Sequence, residues 1–212
     1  EENGQQVWTP DSDNNSISVV NKLLGGSGDD TFNISGELYV RNDEVLIDGG
    51  TGYDILNLRS NYSPDSGRPW GVDSIGWHDS ILNTRNFEKF VVSSQWNTEW
   101  INESALTDEI INAGLDFEIE IRDGQAQIDA SAETDASIIF RMERSSSSNG
   151  VIQGGALGDS YFADTDYEVT DKFKGNGGND YFDGGSGIDI AIFSGNKADY
   201  TITTKLSGLA ES

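Results

Sequence analysis

The chain has 212 residues, no cysteine and a formal net charge of −24 at pH 7. Charge of that sign and size argues against nucleic acid or an anionic membrane as partner, and without cysteine no disulfide can staple the fold. A compact state this acidic repels itself, so bound divalent cations are expected to offset the repulsion.

Residues 1–22 are mostly polar and turn β-like at ISVV, 17–20, which leads into the first of several glycine-rich units. GGSGDDTFN begins at Gly25, with Asp30 in the acid place and Phe32 as the expected core residue; GGTGYDILN begins at Gly49, with Asp54 and Leu56. The interval between them predicts that both lie on one edge of the fold, joined by an enlarged stretch holding ELYV at 37–40, a polar corner at 41–44 and a strand at 45–47.

After Leu58 the pattern vanishes, and residues 59–116 are expected to form an insertion between the repeat-bearing parts of a single domain, 1–212. Residues 59–87 carry Pro64, Gly67, Pro69, Gly71 and Gly76 among the aromatics Tyr62, Trp70 and Trp77, beside the one histidine, His78. Long structured loops in compact domains are usually functional. EKFVV at 88–92 predicts a strand, and Trp96 and Trp100 follow. A short helix is then expected, capped by Asn102 or Ser104, with Leu106, Ile110 and Ile111 on its apolar face and Gly114 as its stop.

From Phe117 the strand signal returns. FEIEIR turns Phe117, Ile119 and Ile121 inward; a turn at Asp123-Gly124, the run AQIDA, a polar corner at 133–135 and SIIFRM follow. These short strands run without a break into a worn unit, GGALGDSYF at Gly154, where Leu157 replaces glycine while Asp159 and Tyr161 keep their places. They are therefore expected to be metal-free counterparts of the repeat coils. Two tandem units close the series, GNGGNDYFD from Gly175 with Asp180, and GGSGIDIAI from Gly184 with Asp189; Tyr181-Phe182 and Ile190 with Ile192 are their apolar pairs.

The nine-residue spacing has a physical logic. Six residues make a tight turn whose glycines permit φ > 0 and close backbone approach, and three make a short strand whose middle side chain enters the core. The pattern G-G-x-G-x-D-x-U-x predicts an all-β fold, a parallel β-roll or β-solenoid. The repeats resemble those of the RTX family. That resemblance implies that turn carbonyls and the acids Asp30, Asp54, Asp159, Asp180 and Asp189, in units opened by Gly25, Gly49, Gly154, Gly175 and Gly184, hold several Ca²⁺ ions between stacked coils. An oxygen-only shell suits that hard cation.

Little here supports enzyme chemistry. The adjacent His78-Asp79-Ser80 cannot fold back on itself as a triad, no HExxH helix exists, and carboxylate pairs carry no information in so acidic a chain. The tryptophans at 70, 77, 96 and 100 can cap an open core or form a recognition pocket. In its size and interrupted layout the chain resembles the peptide-binding domain of the giant RTX adhesins of Gram-negative bacteria. The resemblance implies Ca²⁺-dependent capture of a partner protein's free C-terminus on another cell, with type I secretion to the cell surface. Arg68, Trp70, Trp77 and His78 are the nominated ligand contacts. A calcium-dependent lectin and a purely structural folding block are the two rival readings. No apolar run approaches a membrane span, Glu1-Glu2-Asn3 has no signal-peptide character, and the chain is expected to be a monomeric module cut from a larger protein.

Overall fold

The computed structural model describes residues 22–35, 46–60, 84–94, 105–107, 110–111, 114, 116–122, 128–143, 151–163 and 168–203. These residues are nearly all β. The strands are β1 (Lys22–Ser27), β2 (Thr31–Ser35), β3 (Leu46–Thr51), β4 (Ile55–Ser60), β5 (Thr84–Arg85), β6 (Lys89–Ser94), β7 (Ala105–Thr107) and β8 (Asp116–Arg122). They continue as β9 (Ile128–Ala132), β10 (Ser137–Glu143), β11 (Ile152–Gln153), β12 (Ser160–Phe162), β13 (Lys172–Lys174), β14 (Tyr181–Asp183) and β15 (Ile190–Ala191).

Every strand pair is parallel. The even-numbered strands form one seven-stranded sheet, in chain order from β2 to β14, while the odd-numbered ones form a sheet of three (β1, β3, β5) and a sheet of five (β7 to β15). Parallel neighbours cannot be joined by a hairpin and need a crossover. In the described connections that crossover includes a strand of the other sheet. Of residues 59–116, the described ones place β5, β6 and β7 in these same ladders.

Alternation along each even strand builds the core. Register aligns Phe32, Leu56, Phe90, Ile119, Phe140, Tyr161 and Phe182 in one inward file, and Leu58, Val92, Ile121 and Met142 in a second. Ile47, Ile128, Ile152 and Phe173 of the odd strands join them in one buried cluster. Aromatic edges tie the files together, with Phe90 and Phe117 at 4.9 Å and Phe32 and Phe87 at 5.5 Å between ring centroids. The outward positions of β6, β8 and β10 carry a charge network instead: Lys89 meets Glu118 at 2.7 Å and also Glu120, Arg122 meets Glu120, and Arg141 meets Glu118 at 3.3 Å.

Two expectations are corrected, that of a helix before Gly114 and that of an inward Ile190. The predicted short helix is absent where it can be seen: Ala105–Thr107 is a strand paired with β9, Ile110 and Ile111 are buried, and Gly114 has φ +72°. An apolar spacing too short to define a helical face served a strand and a bend. The corner at 133–135 lies between β9 and β10, and within it Glu133 is buried and takes the N–H groups of Asp135 and Ala136, both at 3.0 Å. In the last unit, register sets Ala191 opposite Phe173 and leaves Ile190 exposed. Among the described residues no helix is long and apolar enough to cross a membrane.

Candidate metal-binding turns

The units at Gly25, Gly49, Gly154 and Gly175 lead from an odd strand to the next even strand, and so lie along one edge; the unit at Gly184 leads from β14 to β15 on the other. Gly26 stands in register with Gly50, as the interval between the first two units predicts. The opening glycine of each unit lies under its own acid. A Cβ at Gly175 would fall on the Asp180 carboxylate, and one at Gly184 on that of Asp189. In the second unit, Gly50 (φ +104°) and Gly52 (φ +139°) ride directly over Gly26 and Gly28, so a side chain there would be both strained and driven into backbone.

Parallel register converts the spacing into a file of acids. The residues that precede the aligned positions Thr31, Ile55, Lys89, Glu118, Ile139, Ser160 and Tyr181 are Asp30, Asp54, Glu88, Phe117, Ile138, Asp159 and Asp180. A carboxylate of one strand accepts the backbone N–H of the strand before it. Asp30 N–H donates to Asp54 Oδ1 at 2.8 Å, Asp54 N–H to Glu88 Oε2 at 2.6 Å, Ile138 N–H to Asp159 Oδ1 at 2.7 Å and Asp159 N–H to Asp180 Oδ1 at 3.0 Å. Phe117 and Ile138 interrupt the file with hydrocarbon, dividing it into a run at Asp30, Asp54 and Glu88 and a run at Asp159 and Asp180. On the opposite edge, Asp171 N–H donates to Asp189 Oδ1 at 3.0 Å, repeating the device.

The two runs differ in what their oxygens lack. Asp30 and Asp54 are buried, and both oxygens of Asp30 and Oδ2 of Asp54 have no hydrogen-bond partner. Burial pushes the Asp54 carboxyl above its ordinary range; the Asp30 N–H opposes the rise, and the charges of Glu88 and Asp30 add to it. Asp159 is also buried, but its second oxygen accepts the N–H of Gly155 at 2.6 Å, which closes its own turn. Burial pushes its carboxyl up to about 6 against the two N–H donors, with Asp180 adding to the rise. This is the unit in which Leu157 replaces glycine, and Gly155 is not in the left-handed region adopted by Gly26 and Gly50.

Buried ionised carboxylate oxygens without donors cost several kcal/mol, on the order of a broken buried ion pair, unless a cation faces them. Among the described residues no group of three or more His, Cys, Asp or Glu side chains forms a metal site. A metal at these turns would therefore complete its shell with backbone carbonyls, which the glycines bring close: the carbonyls of Gly26 and Gly28 press on Gly50 and Gly52. Carboxylate plus carbonyl oxygen is a donor set that fits Ca²⁺ and suits zinc or copper poorly.

Glu88 and Asp171 are acids that the glycine pattern does not reveal. The signal that finds them is the three-residue tail, acid-x-aromatic: Glu88-Lys89-Phe90 and Asp171-Lys172-Phe173 repeat the form of Asp30-Thr31-Phe32. Glu88 follows a shortened turn in which Asn86 takes φ +57° and Phe87 is buried. Arg68, Trp70, Trp77 and His78 lie outside the described residues, as do Trp96, Trp100 and the corner at 41–44. Comparison of the chain with protein-family models, with curated proteins and with solved structures gives no match.

Proposed function

We propose that this chain is a calcium-stacked parallel β-solenoid and acts as a ligand-binding module of a secreted RTX-type adhesin. One observation carries the calcium reading: Asp30 and Asp54, in register beneath stacked glycine turns, bury oxygens that no hydrogen-bond donor meets. Supporting it are the alternation of strands between sheets in parallel register and a net charge of −24. Asp30 and Asp54 with the neighbouring turn carbonyls would hold calcium on the first edge, with Asp180 and, less freely, Asp159 further along it. Asp171 and Asp189 would do so on the second. When bound, calcium supplies positive charge that offsets the burial of Asp30, Asp54, Asp159 and Asp171.

Ligand capture rests on the resemblance to adhesin peptide-binding domains. A cation with an open coordination position pairs with a terminal carboxylate, while aromatic walls receive the side chains before it. Arg68, Trp70, Trp77 and His78 are the proposed contacts, and no catalytic residue is proposed.

The test has two layers. Calcium should raise the melting temperature and EGTA lower it; a melting curve identical in both overturns the calcium reading. Peptides with free C-termini should then bind in calcium and lose binding when amidated. Binding to a glycan array instead would establish the lectin, and silence on both arrays would leave the structural block.

A further inference from the structure

The inward file of the even sheet is hydrocarbon at Phe32, Leu56, Phe90, Ile119, Phe140 and Phe182, and carries a hydroxyl at Tyr161. Tyr161 is fully buried, with its ring stacked on Phe173 at 5.5 Å and tilted against Phe182 at 5.3 Å. A phenol placed in such a core costs free energy unless its hydroxyl is bonded. The Tyr161 hydroxyl crosses the core to donate to Asp171 Oδ1 at 2.8 Å. Burial first, and then the Asp171 charge, push the phenol far above its ordinary range, so it stays a donor at any physiological pH.

The bond has a meaning in the acid files. Asp189 uses Oδ1 to accept a backbone N–H, that of Asp171. Asp171 uses its own Oδ1 for Tyr161. The phenol thus orients the acid that opens this pair on the second edge. Tyr161 is also two residues beyond Asp159, which accepts from Ile138 and Gly155 and donates to Asp180 on the first edge. A single three-residue strand therefore runs from one acid file to a side chain that grips the other.

We propose that Tyr161 is a positioning residue that couples the carboxylate pair on one edge, Asp159 with Asp180, to the pair on the other, Asp171 with Asp189. Loading either pair with calcium fixes β12, and the fixed phenol presets the carboxylate of the second pair. The inference rests on the calcium reading and adds to it a communication between edges that hydrocarbon at position 161 would lack.

The experiment is a calcium titration of the 212-residue chain followed by amide NMR, in which the N–H signals of Asp159 and Asp171 report the two edges separately. The variants are Asp180→Asn, Tyr161→Phe and the double substitution. Asp180→Asn should weaken calcium binding read at Asp171 by about tenfold, the scale of a hydrogen bond to a charged group. In the Tyr161→Phe background the same change should have no effect at Asp171, while calcium still shifts both signals. An equal effect of Asp180→Asn in both backgrounds, or none in either, overturns the coupling but leaves the calcium reading intact. Absence of any calcium shift at both amides in the unsubstituted chain overturns the calcium reading and the inference with it. Phenylalanine occupies this file at four other positions, so Tyr161→Phe keeps the packing; Asp171→Asn, which retains an acceptor for the phenol, checks that the Asp171 signal reports metal.

Discussion

Two regions of the same ladder hold their backbones in register by different chemistry. In β6, β8 and β10 the outward acids meet cations: Lys89, Arg122 and Arg141 pair with Glu118, Glu120 and Glu143. Burial raises the Glu120 carboxyl, but Lys89 and Arg122 outweigh it and hold the group below its ordinary value. At the acid file, β8 and β10 have Phe117 and Ile138, while Glu88 ahead of β6 closes the run of acids. In β1 to β4 the file holds Asp30 and Asp54, buried, with oxygens that no donor reaches, and Asp54 pushed above its ordinary range. The middle is complete from its own side chains. On the proposed reading bound calcium supplies the charge that the described side chains do not bring to the glycine–aspartate end, where glycine leaves little side-chain surface to bury in compensation.

The largest expected effect follows from that difference. Removing calcium with EGTA should speed amide exchange in β1 to β4 and in β12 to β15 by about a hundredfold or more, the scale set by a ligand at a hundred times its dissociation constant. β8 and β10 should keep most of their protection. Hydrogen exchange read by mass spectrometry separates these segments, and uniform loss across all strands would show that the middle depends on metal as much as the ends do.

The converse substitution sharpens the comparison from the other side. Phe140 is fully buried in the inward file and its ring centroid lies 6.1 Å from that of Phe173. Phe140→Ala should cost about 3–5 kcal/mol through the cavity it leaves. Because the loss is hydrocarbon packing, chemical denaturation should give similar values in calcium and in EGTA. A cost seen only in calcium would tie the middle of the core to the metal turns.

How much of this could be read from the sequence depended on how local the cause was. The alternation of Phe117, Ile119 and Ile121 is a two-residue period, and each of the three is buried as the pattern predicts. The edge shared by Gly25 and Gly49 followed from their interval, because equal strands in parallel register need equal or looped-out lengths between them. Ala105–Thr107 was misread because three apolar residues near a possible cap satisfy helix and strand alike; its pairing with β9, more than twenty residues away, settles the matter. Glu88 and Asp171 carry no glycine signature; their acid-x-aromatic tails are the one local signal, and it gains meaning once the strands are aligned. The break at Phe117 and Ile138 is of the same kind: two ordinary core residues become informative once Asp54, Glu88, Asp159 and Asp180 stand in their file.

The smallest effect is one of pH, and its sign distinguishes the two regions. Without calcium, Asp159 titrates at about 6 in the fold against 3.8 for an ordinary carboxyl, and Asp54 is raised as well. The folded end then binds protons more tightly than the unfolded chain. Its stability is greatest below about 4 and falls as pH rises through 6. Glu120 behaves oppositely: held below 4.5, it contributes stability above that value and loses it on acidification. In EGTA, therefore, moving from pH 7.5 to 5 should slow exchange around β4 and β12, after correction for intrinsic rates, and leave β8 almost unchanged. Excess calcium should reverse the trend at β4, because there protons compete with the metal for Asp54. If β4 and β12 loosen at pH 5 in EGTA, burial does not govern Asp54 and Asp159, and the proposed distinction between an end completed by metal and a middle completed by side chains fails at its electrostatic root.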